Sequence, residues 1–86
     1  MYKIATKKLL NPTVCQMEIV SPLVAKKAKP GQFIILRTDA DGERIPLTVA
    51  DYNRVKGTVT IIFQIAGATT YKLAQMEKGE YLHDFV

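Results

Sequence analysis

Thr58-Val59-Thr60-Ile61-Ile62-Phe63-Gln64-Ile65-Ala66-Gly67-Ala68-Thr69-Thr70 is the stretch that decides the architecture, because a strand pattern runs through glycine directly into a helix start. Thr58 to Ile65 is rich in β-branched side chains, which pack well on a pleated surface, and its centre, Ile61-Ile62-Phe63, is expected to be buried. From Thr70 to Lys78 the period changes. Leu73 and Met76 with Ala74 share one face of a short helix, Thr69 or Thr70 can cap it, and Gly79 closes it. The first turn of such a helix leaves backbone N–H groups without partners, so it attracts anions.

Upstream, the pattern is all strand and turn. Tyr2 to Leu10 and Val14 to Val20 flank the turn dipeptide Asn11-Pro12, which predicts a hairpin. Cys15, Met17 and Ile19 alternate against Val14, Gln16, Glu18 and Val20, so Cys15 is expected on a core face as an inert thiol. Pro30-Gly31 marks a turn before the apolar run Phe33-Ile34-Ile35-Leu36, which reads as a buried strand ending at Arg37-Thr38. Asp39-Ala40-Asp41-Gly42 is a tight turn whose carboxylates can bond nearby amides. Ile45 to Ala50 returns as a strand in which Pro46 demands an edge, a bulge or a point of ligand approach. Asp51-Tyr52-Asn53 and Lys56-Gly57 bracket the next turn, and Tyr81 to Val86 is a last strand. Together these features predict a mainly all-β domain over residues 1–86: a closed antiparallel Greek-key barrel of about six strands with one short helix in its C-terminal half. Because the chain stops on an apolar strand, it is expected to be a piece of something longer.

The chain has 86 residues, room for one domain and one modest core. A hydrophobic share of 48% with 23% charged residues excludes disordered and fibrous classes. Twelve Lys and Arg against eight Asp and Glu give a net charge of +4. The basic residues are scattered, which excludes a polybasic arm. One cysteine and one histidine rule out a disulfide framework or a zinc site built from such residues, and fit a reducing cytoplasm. No stretch has the length of an apolar membrane span, and Met1-Tyr2-Lys3-Ile4 does not open a signal peptide. His83 has no evident acid-base partner and is read as structural.

Two segments carry candidate chemistry. In Glu43-Arg44-Ile45-Pro46-Leu47-Thr48, an arginine and a hydroxyl four residues apart can meet different parts of one extended ligand. The second segment is the strand end and helix start from Ile62 to Thr70. Taken singly, Arg44 is an ordinary solvated charge, Thr48 plain β surface and Gly67-Ala68-Thr69-Thr70 an ordinary cap. Their order and spacing are what suggest a site.

The chain resembles the flavin-binding barrel of the ferredoxin-NADP reductase superfamily, and is similar there to the electron-transfer subunit of dihydroorotate dehydrogenase and the FAD-bearing small subunit of NADH-dependent ferredoxin:NADP oxidoreductase (sulfide dehydrogenase). The likeness covers nearly the whole chain. Pro30-Gly31-Gln32-Phe33 looks like the family's strand entry and Arg44-Ile45-Pro46-Leu47-Thr48 its first flavin segment. Ile62-Phe63-Gln64 looks like the second segment, Gly67-Ala68-Thr69-Thr70 the phosphate-binding helix start, and His83-Asp84-Phe85-Val86 the exit toward an NAD(P)-binding domain absent from this sequence. The resemblance implies an FAD site. Thr48 would bond the N5 and O4 edge of the isoalloxazine, Pro46 and Leu47 would line the ring, and residues 62–64 would offer main-chain contacts. Thr69 and Thr70 would bind the pyrophosphate.

Two departures stand out. The family's arginine lies three residues before the hydroxyl, whereas here Ile45 has that place and Arg44 lies one further back, so a bulge or another cation at the phosphate is expected. Leu47 replaces the ring-stacking tyrosine, and Gln64 stands where relatives carry a basic residue. The resemblance further implies an oxidoreductase passing electrons between NAD(P)H and an iron–sulfur partner such as ferredoxin, within a larger iron–sulfur and flavin complex. No catalytic side chain and no metal ligand would come from this segment, and the isolated barrel is expected to be inactive. The competing readings are a docking barrel without flavin and a barrel that binds single-stranded nucleic acid, which would need exposed aromatics interleaved with basic residues.

Overall fold

Alternation of side chains sets the sheet. In the computed structural model, which describes all 86 residues, β1 (Tyr2–Asn11) and β2 (Val14–Val20) form the expected hairpin. Cys15, Met17 and Ile19 are fully buried while their neighbours on β2 are half-buried. Burial pushes the Cys15 thiol pKa up, as expected of a core cysteine. The remaining strands are β3 (Phe33–Arg37), β4 (Ile45–Asn53), β5 (Thr58–Gln64), β6 (Tyr81–Leu82) and β7 (Asp84–Phe85). Their order is β6-β1-β2-β5-β4-β3-β7, with every pairing antiparallel. The run β3-β4-β5 with β2 beside β5 is the Greek-key arrangement.

One short segment closes the barrel. Tyr81-Leu82 pairs with β1, then the chain crosses at His83, whose N–H donates to the Arg37 carbonyl at 3.0 Å, and Asp84-Phe85 pairs with β3. The last strand expected from sequence is therefore two short ones on opposite edges, and Leu82 and Phe85 are both fully buried. Val86 continues the ladder, exchanging backbone bonds of 2.8 and 3.0 Å with Ile35.

Several details differ from expectation, each for a local reason. A second helix, α1 (Pro22–Lys27), fills the β2–β3 connection. Its signals were in the sequence: Ser21-Pro22 at the start and Lys26-Lys27 in the last turn. Arg54 fastens its end, with Nε donating to the Lys26 carbonyl and a terminal nitrogen to the Ala28 carbonyl, both at 3.1 Å. The same guanidinium lies 4.3 Å from the Tyr52 ring centre. The other helix, α2 (Ala68–Gln75), starts and ends earlier than expected, with Gly67 at its N-cap and Gly79 in the turn beyond it. Phe33 and Ile62, both read as buried, face outward at 66% and 42% exposure, because their strands alternate: Ile34, Leu36, Ile61 and Phe63 take the inner positions. No helix is long and apolar enough to cross a membrane.

Gly57 turns β4 into β5 at φ +70, and a Cβ there would lie 3.1 Å from the Pro22 Cγ. Gly79, at φ +94, has open space around it. Gly57→Ala is therefore expected to cost about 1–3 kcal/mol in a urea unfolding series through combined strain and crowding, and Gly79→Ala less. Equal losses would show that the contact with Pro22 relaxes freely.

Candidate functional site

The β4–β5 seam is only half closed. Pairing starts at Val49 opposite Ile61 and runs toward Asn53 and Thr58, whereas no cross-strand pair joins residues 45–48 to residues 62–64. The first half of β4 pairs with β3 alone, Ile45 through Thr48 opposite Leu36 through Phe33, and the last half of β5 pairs with β2 alone. Pro46 thus lies on the opened seam, where its missing N–H costs no ladder bond. The two segments singled out from sequence are the two lips of this opening.

Alternation sorts their side chains. Pro46, Thr48, Ile62 and Gln64 are exposed on the outer face. Ile45 and Leu47 turn inward against the core, and Phe63 is buried at 3% exposure. Leu47, expected beside Pro46 as a wall for the ring, therefore offers an outer ligand only its backbone. The same holds for Ile45 and Phe63. The Thr48 hydroxyl and the Gln64 amide have no hydrogen-bond partner in the protein.

No bulge separates Arg44 from Thr48. The β3–β4 register runs without a slip from Ile45 to Thr48, and the irregularity falls after Val49 instead. That register explains the unusual spacing: four is an even step, so continuing the alternation back from Thr48 and Pro46 keeps Arg44 on the outer face, about 13 Å from Thr48 along an extended strand. Arg44 is well exposed and its terminal nitrogen lies 3.9 Å from the Asp84 carboxylate. Asp84 is held more tightly by Arg37, at 2.7 Å, and Arg37 also donates to the Ala40 carbonyl at 3.0 Å.

At the end of β5 the chain enters α2. The Thr70 hydroxyl accepts from the N–H groups of Ala66 and Gly67, each at 3.0 Å, and donates to the Gly67 carbonyl at 3.1 Å. It is therefore committed to the turn. The backbone N–H groups of Ala68, Thr69 and Thr70 are left without acceptors, since the first intrahelical bond is Tyr71 to Gly67 at 2.8 Å. The Thr69 hydroxyl donates to the Glu43 carboxylate at 3.0 Å, which brings the segment just before Arg44 against the first turn of the helix. Lys72 binds Asp39 across the same gap, and this hydrogen bond is the main reason the Asp39 carboxyl titrates below the ordinary carboxylate range. Asp39 also accepts from the Asp41 N–H at 3.1 Å, the turn role expected of it. The arrangement as a whole offers an outer face with apolar and hydroxyl groups, leading to a helix start rich in unpaired donors.

Fold and site together define a Greek-key barrel whose outer face presents one strand's hydroxyl beside a helix N-terminus. No protein-family model matches the chain. It is 56% identical, over its whole length, to a Clostridium beijerinckii protein named "Uncharacterized protein in adh 3'region", covering 29% of that protein. It is 38% identical over 84 residues to a Thermotoga maritima homolog of the electron transfer subunit of dihydroorotate dehydrogenase B (NAD(+)), covering 98% of this chain and 30% of that one. A chain in the structure of an NADH-dependent reduced ferredoxin-NADP oxidoreductase superposes on all of it with a TM-score of 0.96 at 37% identity, this chain covering 31% of that one. The chain belongs to the ferredoxin-NADP reductase-like superfamily, as the resemblance implied. It spans less than a third of the length of these relatives.

Proposed function

We propose that this chain is the FAD-binding barrel of a longer flavoprotein oxidoreductase, and that the flavin lies along the opened β4–β5 seam. The observation that carries the reading is the coincidence of three unpaired features on one path: the half-open seam, the free Thr48 hydroxyl beside it, and the three free amides of α2. The residues fit the group. Thr48 would donate to the polar edge of the ring, Pro46 and Ile62 would meet its apolar face, and the amides of Ala68, Thr69 and Thr70 would take the pyrophosphate, with Gly67 permitting close approach. Arg44 would add a cation on the same face. Gln64 would serve as a neutral hydrogen-bonding group, and Ile45, Leu47 and Phe63 would act through their backbone.

When bound, FAD supplies the exchange between a two-electron donor and one-electron acceptors. The barrel's own part is to hold and orient it. We further infer that NAD(P)H binds on a following domain of the same chain, and that a larger iron–sulfur and flavin subunit, or ferredoxin, takes the electrons in the cytoplasm. The names of the relatives support that assignment. A docking barrel without flavin is the second reading, favoured by the Glu43 carboxylate, which already sits against the α2 turn.

The visible spectrum of the full-length protein, before and after mixing with FAD and gel filtration, tests the proposal. Flavin bands co-eluting with the protein are expected. Thr48→Ala should weaken binding about 2- to 10-fold, the loss of one hydrogen bond to a ligand. A full-length protein that ignores FAD would leave the docking reading.

A further inference from the structure

Phe33 is 66% exposed, although it starts the strand whose inner residues Ile34 and Leu36 are buried. It stands directly opposite Thr48 in the β3–β4 ladder, and residues opposite one another in an antiparallel pair point to the same face. The turn before it explains the orientation. Gly31, at φ +85, donates to the Val49 carbonyl at 3.2 Å while the Val49 N–H donates to the Gln32 carbonyl at 2.7 Å, so two residues of one strand face a single residue of the other. That bulge delivers Phe33 to the outer face beside Thr48. Phe33 also borders a cavity of roughly 340 Å³ whose other lining includes Leu23, Val24 and Val86. An exposed phenyl ring forfeits the burial it normally contributes, and aromatic pairs prefer offset-stacked or edge-to-face contact with another ring.

We propose that Phe33 is the aromatic side chain that packs against the flavin ring, flanking it from β3 while Ile62 flanks it from β5. This rests on the flavin reading above. Leu23 and Val86 line the same cavity without lying opposite Thr48, so the cavity's far end does not share the role.

The test uses the full-length protein and reads FAD binding and the fluorescence of bound flavin, which a contacting phenol quenches by electron transfer and a phenyl ring does not. Phe33→Ala should weaken FAD binding about tenfold, whereas Phe33→Tyr should keep the affinity near wild type and quench the bound flavin several-fold. Phe33→Leu retains apolar volume and guards against simple misfolding; it should keep the fold yet bind FAD a few-fold more weakly, the loss of ring-on-ring contact. Leu23→Ala should change neither readout. Wild-type affinity in Phe33→Ala, or unquenched bound flavin in Phe33→Tyr, would overturn the proposal while leaving the flavin site intact. A wild-type protein that binds no FAD would overturn both.

Discussion

Phe85→Ala is expected to cost about 3–5 kcal/mol of stability, the cost typical of removing a large buried aromatic and leaving a cavity. Phe85 is fully buried and sits in the two-residue strand that closes the barrel against β3, opposite Leu36. Its ring lies 6.1 Å from that of Tyr2, on the strand at the other edge of the closure. The substitution therefore empties the core at the point where the two ends of the sheet are held together. A domain of this length has a total stability of only roughly 5–10 kcal/mol, so a large part of it would be lost. Phe85→Leu should recover most of the loss. The measurement is the urea midpoint of the two variants against wild type. A loss below about 1 kcal/mol for Phe85→Ala would mean that the closure depends on backbone pairing alone.

Thr70→Ala is expected to lower FAD affinity by about tenfold or more and to destabilise the domain by about 1–2 kcal/mol, the range of a lost helix cap. The reason is indirect. The Thr70 hydroxyl makes three bonds to the backbone of Ala66 and Gly67, and so fixes the turn from which the amides of Ala68, Thr69 and Thr70 project. Without it the donors remain but their convergence is lost. Thr70→Ser keeps the hydroxyl and should behave as wild type. Thr69→Ala removes only a bond to the exposed Glu43 and should change stability little. If Thr69→Ala proves the more damaging to FAD binding, the Thr69 hydroxyl rather than the shape of the turn is the contact that matters.

The spacing of Arg44 shows how register turns a departure from a family pattern into a usable arrangement. Three residues before Thr48, the inward position is taken by Ile45, which packs against the core. Four residues before, the alternation points outward. The regular β3–β4 ladder shows that no bulge is needed to reconcile the two. A Lys at position 44 would keep the charge but lose the planar fork, so the arginine matters only if a phosphate or carboxylate is its partner.

Strand identity, the hairpin at Asn11-Pro12, the core side of β2 and the existence of a helix after Gly67 were all legible in the sequence, because each depends on neighbours two to four residues away. The candidate segments 44–48 and 62–70 were legible as motifs for the same reason. Several features were not. The outward turn of Phe33 and Ile62 inside apolar runs was hidden, since a run with no polar residue carries no record of which face it presents. The inward turn of Leu47 follows from register with β3, a partner some thirteen residues away. The commitment of Thr70 to the cap and the opening of the β4–β5 seam depend on which strands pair and where pairing stops. Such long-range pairing is set by the competition of whole faces for one core, which no local window contains, so only the tertiary structure decided where a ligand could enter.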